Sequence, residues 1–174
     1  MFMRRALSIG LALSCAAFLL WTVPGEAKIA LSLGEAEGRV GETVAVPITL
    51  HSDGAGICAT SADITFDAEH LAFEGIDAGE AASAAGKTPV VSQPSAGVVR
   101  VGVFGVNQSR LQDGVLAVLR FKVIKGTSKH LALSGSGGVA DCDGNDMAAE
   151  LVCGGVSLSD NGRLPKGKGK APQH

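Results

Sequence analysis

From residue 28 onward, hydrophobic and polar residues alternate along most of the chain, and turn residues interrupt the alternation about every eight to twelve positions. An alternation with a period of two is typical of strands that bury one face, and regularly spaced short strands are typical of sandwiches and barrels. The pattern predicts about nine strands, at residues 28–33, 43–50, 57–67, 71–76, 89–93, 98–104, 115–124, 130–134 joined to 139–141, and 151–159. Residues 77–87, rich in Ala and bracketed by Gly, allow at most one or two helical turns. We therefore expect an all-β domain.

The parity of the apolar residues predicts which strand faces are buried. The strand at 43–50 places four aliphatic residues on one face: Val44, Val46, Ile48 and Leu50. Pro47 has no backbone N–H, so we expect that strand to be irregular there or to lie partly at an edge. The strand at 57–67 has an inward face of Cys58, Thr60, Ala62, Ile64 and Phe66, and an outward face of Ala59, Ser61, Asp63, Thr65 and Asp67.

The first 27 residues have the three parts of a secretory signal peptide: two arginines, an uncharged stretch at 6–23, and small residues around a cut after Ala27. A membrane anchor is the alternative for an apolar stretch of that length, but the small-residue exit after Pro24 favours cleavage. Cys15 is discounted as a lipidation site because Ala12 stands where a larger aliphatic residue is usual. We therefore expect an exported chain that has no membrane contact once the signal is removed.

Composition narrows the function further. The mature chain would be one domain at residues 28–160 with a flexible tail, rich in Lys, Gly and Pro, at 161–174. Its formal charge changes from −2 to −3 on cleavage, which excludes a polybasic nucleic-acid binder, and the length excludes a multi-domain enzyme with a cofactor domain. Cleavage also removes the single Trp, and the chain has no Tyr. All four remaining Phe fit inward parities or strand cores, so an aromatic platform for sugar rings is hard to build.

Motifs for catalysis or metal binding are weak. Residues 141–146 begin like a calcium loop, but Asp146 stands where Gly should make the turn and Val152 replaces the bidentate Glu. The favoured interpretation is a hairpin turn with Asx-type hydrogen bonds. The chain has no G-x-S-x-G, H-E-x-x-H or phosphate-loop motif, and the histidines of the predicted domain are far apart: His51, His70 and His130.

Glycoside hydrolysis needs a pair of carboxyl groups, and the chain has enough of them in this region to supply one. We expect instead that they are ordinary solvated residues of a strand face and a turn: Asp63, Asp67, Glu69 and Glu74. We expect no enzymatic activity, no cofactor and no metal. Three cysteines remain after cleavage, namely Cys58, Cys142 and Cys153. Their spacing matches no C-x-x-C metal motif, and in an oxidising compartment one pair should form a disulfide while the third thiol stays free or links to another chain.

From residue 41 to residue 158 the order of segments resembles a cohesin domain. The residues that carry the resemblance are Gly41-x-x-Val44-x-Val46-Pro47-Ile48, Ile57, Asp63-Ile64-x-Phe66-Asp67, Leu71, Gly97-x-Val99-x-Val101, Asp113-Gly114-x-Leu116-Ala117-x-Leu119-x-Phe121-x-Val123, Ala140-Asp141 and Gly155-Val156-x-Leu158. No single motif is specific, and the ordered series carries the resemblance. It implies a nine-stranded jelly-roll β-sandwich in two sheets, related in fold to some carbohydrate-binding modules.

Cohesins are receptors of cellulosome scaffolds and of related non-cellulosomal bacterial proteins. They bind dockerins, which are small calcium-loaded helical modules, through the sheet made of the third, fifth, sixth and eighth strands. Matched by position, the resemblance implies partner contacts by Ala59, Ser61, Asp63 and Thr65 on the third strand and by Asn107, Gln108, Ser109 and Leu111 after the sixth. Because the third and eighth strands are antiparallel neighbours in that topology, it also implies a Cys58–Cys142 disulfide, with Cys142–Cys153 as the second choice.

The resemblance and the strand series together predict an exported, non-catalytic module that binds a protein partner, with a dockerin-bearing protein as the candidate. Such a module would act at or outside the cell envelope and would be linked to extracellular polysaccharide degradation. A carbohydrate-binding module of the same fold is the first alternative, and a structural envelope protein is the second.

Overall fold

The computed structural model describes residues 28–159, so the predicted signal peptide and the predicted tail lie outside the described residues. Its elements are β1 (Ala30–Leu33), β2 (Glu35–Gly38), β3 (Thr43–His51), β4 (Ile57–Thr65), β5 (Leu71–Ala78), α1 (Glu80–Ala84), β6 (Thr88–Ser95), β7 (Val98–Phe104), β8 (Gly114–Val123), β9 (Leu131–Asp141), β10 (Asp146–Met147), β11 (Glu150–Val152) and β12 (Gly154–Leu158). The predicted all-β architecture is confirmed, and α1 is the short helical segment expected within 77–87.

Ten of these twelve strands lie in the nine predicted stretches, and two short strands were not predicted: β2 and β10. The stretch at 130–141 forms the single strand β9 without interruption. The stretch at 151–159 is divided at Cys153, so that β11 and β12 belong to different sheets. β2 carries a single aliphatic residue and β10 has only two residues, so neither shows an alternation that periodicity could reveal.

The strands form two sheets that pack as a sandwich. One sheet has the order β11-β1-β3-β8-β5, and the other has the order β2-β12-β9-β4-β7-β6 with β10 paired to β9. Two strand pairs are parallel, β1 with β11 and β2 with β12, and they join the start of the described chain to its end in both sheets. β3 lies inside its sheet between β1 and β8, and its register shifts directly after Ile48, next to Pro47. The strand is therefore irregular at Pro47 but not at an edge.

The core lies between the two sheets and consists of the inward residues of the alternating strands. On β3 and β4 the predicted inward faces are buried. Phe121 on β8 has no exposed surface, and its ring centroid lies 5.0 Å from that of Phe66 and 5.7 Å from that of Phe73. Tilted and edge-on aromatic contacts at these distances add to the free energy gained by burying apolar area.

Candidate functional site

The residues predicted on the outward face of the third strand lie on one open surface. β4 is flanked by β7 and β9, and β6 forms the edge beyond β7. The strand register aligns Ser61 with Gly102 on β7 and Gly138 on β9, and it aligns Asp63 with Arg100 on β7. Ala59, Ser61, Asp63 and Thr65 all point away from the core, as their parity requires. We call the outer surface of β6, β7, β4 and β9 the open face.

A row of small residues crosses the open face at right angles to the strands. It is formed by Gly102 on β7, Ser61 on β4 and Gly138 on β9, and the larger Val90 on the edge strand β6 lies beside Gly102. Two shallow cavities of about 210 and 270 Å³ lie along this row, and both are lined by Ser61, Gly102 and Phe104. Because Gly102, Ser61 and Gly138 have no side chain or a short one, they form a depression between neighbouring residues with longer side chains. We call this depression the trough.

Phe104 forms one wall of the trough. The prediction that all four phenylalanines are buried is wrong for this residue, because its side chain is 52% exposed. The physical reason is parity: Val99, Val101 and Val103 occupy the inward positions of β7, so Phe104 faces outward. A Cβ on Gly102 would lie 3.0 Å from the Phe104 ring, so the glycine leaves room for the ring to lie across the sheet. The alternation in the sequence could have placed this ring correctly.

An ion pair forms the opposite wall. Arg100 donates two hydrogen bonds to Asp63, from Nε to Oδ1 and from Nη2 to Oδ2, each 2.7 Å long. The hydrogen bond from Arg100 holds the pKa of Asp63 below its usual value. Both side chains are more than a third exposed, so the pair contributes little to folding stability. Its geometric effect is larger, because two parallel hydrogen bonds fix both side chains beside the trough.

The connection from β7 to β8 contains the other predicted contact residues, and it divides into two parts. Asn107, Gln108 and Ser109 are exposed at the end of the open face. Leu111 is only 1% exposed, and its backbone N–H donates to the carbonyl oxygen of Ile57 at 2.8 Å. Leu111 therefore packs in the core, and any contact with a partner by this connection falls to the residues before it.

The structure joins Cys58 to Cys142 in a disulfide with the two Cα atoms 4.9 Å apart, which is the first of the two pairings considered above. Cys58 is the extra residue at a register shift between β4 and β9, and Cys142 directly follows β9. The sulfur atoms lie 3.5 and 3.6 Å from the carbonyl oxygen of Gln108. The cross-link therefore lies beneath the β7–β8 connection. Cys153 is free and exposed.

The turn at 141–146 is a hairpin between β9 and β10. The backbone N–H groups of Asp143 and Asn145 each donate to Asp141 Oδ1 at 2.9 Å, and the Asn145 amide donates to Asp141 Oδ2. The side-chain hydrogen bond from Asn145 is the main cause that lowers the pKa of Asp141. The carboxylate thus makes the Asx-type bonds predicted for a turn, which confirms that interpretation.

One cluster of candidate metal ligands lies away from the open face. Ligand atoms of Asp67, Glu69 and His70 lie within 4.8 Å of one another. Each already has a protein partner: His70 Nδ1 lies 2.8 Å from Asp67 Oδ2, and Lys125 pairs with Glu69. His130 Nε2 lies 2.9 Å from Glu35. Within residues 28–159 neither histidine ring hydrogen-bonds to a serine hydroxyl, so these histidines form no Ser–His relay.

Comparison with known families and proteins gives a single answer. The family model described as "Cohesin domain" matches residues 29–158. Cellulose-binding protein A of Clostridium cellulovorans is 31% identical over 137 residues, which is 75% of this chain but 7% of that relative. The chain thus spans a small part of the curated relative that it matches.

Solved structures share the fold. The sixth cohesin from scaffoldin B of Acetivibrio cellulolyticus, solved in complex with the Cel5 dockerin, has a TM-score of 0.66 and 24% identity, covering 76% of this chain and 99% of that one. A non-cellulosomal cohesin from the archaeon Archaeoglobus fulgidus also has a TM-score of 0.66, with 19% identity over 77% of this chain and 93% of that one. In the described part of the chain, no helix has the length and apolar character needed to cross a membrane.

Proposed function

The chain belongs to the cohesin domain family, as its sequence pattern indicated, and from that premise we propose that it binds a dockerin-bearing protein through its open face. Cohesin domains are non-catalytic interaction modules, and the family assignment therefore confirms the prediction that this chain is not an enzyme. Its family members are typically extracellular or cell-surface components. Binding of the partner would link this module to the degradation of extracellular polysaccharide.

The trough is the observation that supports binding of a helical partner. Successive outward side chains on one strand are about 6.8 Å apart. The outward side chains on the two sides of the trough are therefore two such steps apart, which leaves between them a strip about as wide as an α-helix. The small side chains of the floor let a helix backbone approach closely. The exposed ring of Phe104 supplies the kind of aromatic anchor that dominates the binding energy of many interfaces.

Electrostatics also suit a helix that presents small and apolar residues. Arg100 and Asp63 neutralise each other beside the trough, so this wall offers hydrogen-bonding groups without net charge. A partner would bury the apolar ring on one side and place polar groups against the ion pair on the other. A strongly charged helix would gain little from such a surface.

Export and the disulfide belong to the same proposal. Residues 1–27 direct secretion, and the Cys58–Cys142 bond forms in the oxidising compartment that the chain then enters, where disulfides persist. The spacing of the two Cα atoms supports this pairing, since native disulfides have Cα atoms about 4.4–6.8 Å apart.

The test uses the mature chain, residues 28–174, and calcium-loaded dockerins from the source organism and from the Acetivibrio complex, with affinity measured by calorimetry. Phe104→Ala and Ser61→Arg should each weaken binding at least tenfold while leaving the melting temperature within about 3 °C of the wild type. Ile124→Ala is the matched control, because Ile124 is 48% exposed outside the open face. Wild-type protein that binds none of these dockerins but stays on insoluble polysaccharide would overturn the proposal in favour of a carbohydrate-binding module, for which the exposed Phe104 ring is the one supporting observation.

A further inference from the structure

Lys87 is a buried lysine that the proposed contacts do not use. It lies just before β6 and is only 3% exposed. Its Nζ donates to the backbone oxygen of Asn107 at 3.1 Å and to the side-chain Oδ1 of the same residue at 3.2 Å. No carboxylate pairs with it in residues 28–159. The ammonium is thus held by neutral oxygens alone.

Such a group is costly for folding. Moving an ammonium out of water carries a penalty that hydrogen bonds to neutral oxygens offset only in part. An aliphatic side chain of similar length would fill the same space without that penalty. Residues that break a local stability rule in this way are characteristic of functional positions. What Lys87 gains in return is geometric, because it fixes the position of Asn107.

The Asn107 side chain hydrogen-bonds both to the turn between α1 and β6 and to the next residues of its own connection. Its amide nitrogen donates to the carbonyl oxygens of Ala85 and Gly86, each at 3.1 Å. Its Oδ1 accepts from the backbone N–H of Ser109, also at 3.1 Å. Gly86 has a φ of +63°, and a Cβ there would lie 3.0 Å from the Asn107 amide nitrogen. The turn between α1 and β6 is therefore shaped to receive this side chain.

The constraint is applied next to the trough. Thr88, directly after Lys87, pairs with Phe104, and the connection begins at the residue after Phe104. The other end of the connection is held by Leu111, which is anchored in the core. Between these two points lie the exposed residues Gln108 and Ser109. With Asn107 released, the segment between these two points would rest only on the Cys58–Cys142 cross-link, whose sulfur atoms lie against the Gln108 carbonyl oxygen.

We propose that Lys87 is a positioning residue for partner recognition: its buried ammonium holds residues 105–111 in one conformation beside the trough before the partner arrives. This inference rests on the proposed function. Lys87 itself touches no partner. A preformed connection avoids the entropy cost of ordering a loop on binding, and the apparent dissociation constant rises in proportion as the competent fraction falls.

The first test needs no partner. In the mature chain, Lys87→Met keeps the length of the side chain and removes the donor. Asn107→Ala is the second variant in case the first folds poorly: it removes the side-chain acceptor and leaves only the backbone oxygen of residue 107 for Lys87. In both variants we expect faster hydrogen exchange at the Ser109 amide and at least tenfold faster tryptic cleavage after Arg110. Lys122→Met, at an exposed lysine of β8, is the matched control and should change neither rate. Unchanged exchange and cleavage in both variants would overturn the proposal.

The second test measures recognition with the dockerin that the wild-type protein binds. Lys87→Met should weaken binding about tenfold, mainly through a slower association rate, which is the expected result if about one molecule in ten retains the competent connection. A more mobile connection with wild-type affinity would overturn the positioning role while leaving the proposed function intact. If the wild-type protein binds no dockerin, the proposed function has failed, and the role of Lys87 in recognition fails with it. The wild-type binding curve therefore separates the two failures.

Discussion

The Cys58–Cys142 cross-link allows a stability prediction whose size can be calculated from the fold. The two cysteines are 84 positions apart, so the bond closes a long loop in the unfolded chain. The chain-entropy relation gives a loss of about 4.5 kcal/mol in the free energy of unfolding when a loop of that length is opened. For the 132 residues that the structure describes, this corresponds to a melting temperature lowered by about 15 °C.

The assay compares the oxidised mature chain, the same chain reduced with a phosphine, and the double variant Cys58→Ala/Cys142→Ala, by calorimetry and urea unfolding. The reduced protein and the variant should lose similar stability. Cys153→Ser is the control and should behave as the wild type, because Cys153 is exposed and unpaired. A loss smaller than about 1 kcal/mol in the variant would refute the loop-entropy account, since it predicts several times that value. An unreduced digest in which Cys58 is alkylated would refute the pairing itself.

Three further predictions follow from packing and from pKa. Phe121→Ala should lower the free energy of unfolding by about 3–5 kcal/mol, because the fully buried ring leaves a cavity; urea unfolding measures it. Gly154→Ala should abolish soluble expression, since a Cβ there would overlap backbone oxygens of the β1–β2 turn, whereas Gly126→Ala meets only a side chain and should express normally. Hydrogen bonds from Ser52 lower the pKa of Asp113, so the ionised carboxylate stabilises the fold above about pH 4, and this contribution is lost as the pH falls through the folded pKa. Asp113→Asn should therefore reduce the loss of melting temperature on acidification. A melting-temperature profile with the same acid limb as the wild type would contradict this.

Much of the fold could be predicted because its strands are long and alternate cleanly. The inward face of residues 43–50 and both faces of residues 57–67 lie where parity placed them. Period-two alternation determines which side of a strand is buried, whatever the partner strands are. The pairing of Cys58 with Cys142 came from the topology of the family that the sequence resembles, because neighbouring strands in a sheet need not be close in sequence.

The candidate site was predicted less completely, for two different reasons. Phe104 was expected to fit an inward parity or a strand core, although the parity of β7 turns it outward. Lys87 could not be identified from local sequence, since a lysine in a polar turn is ordinarily solvated. Its burial depends on Asn107, which is 20 positions away, and a single-sequence pattern carries no information about such a contact.

The two parallel strand pairs at the ends of the domain determine how it would respond to tension. β1 pairs with β11, and β2 pairs with β12 from the Glu35–Gly155 pair to the Gly38–Leu158 pair. A force that pulled residue 28 away from residue 159 would act along these strands, so that their hydrogen bonds in both sheets would bear the load together rather than open one after another. The terminal strand pairs would therefore be loaded in shear when the two ends of the domain are pulled apart.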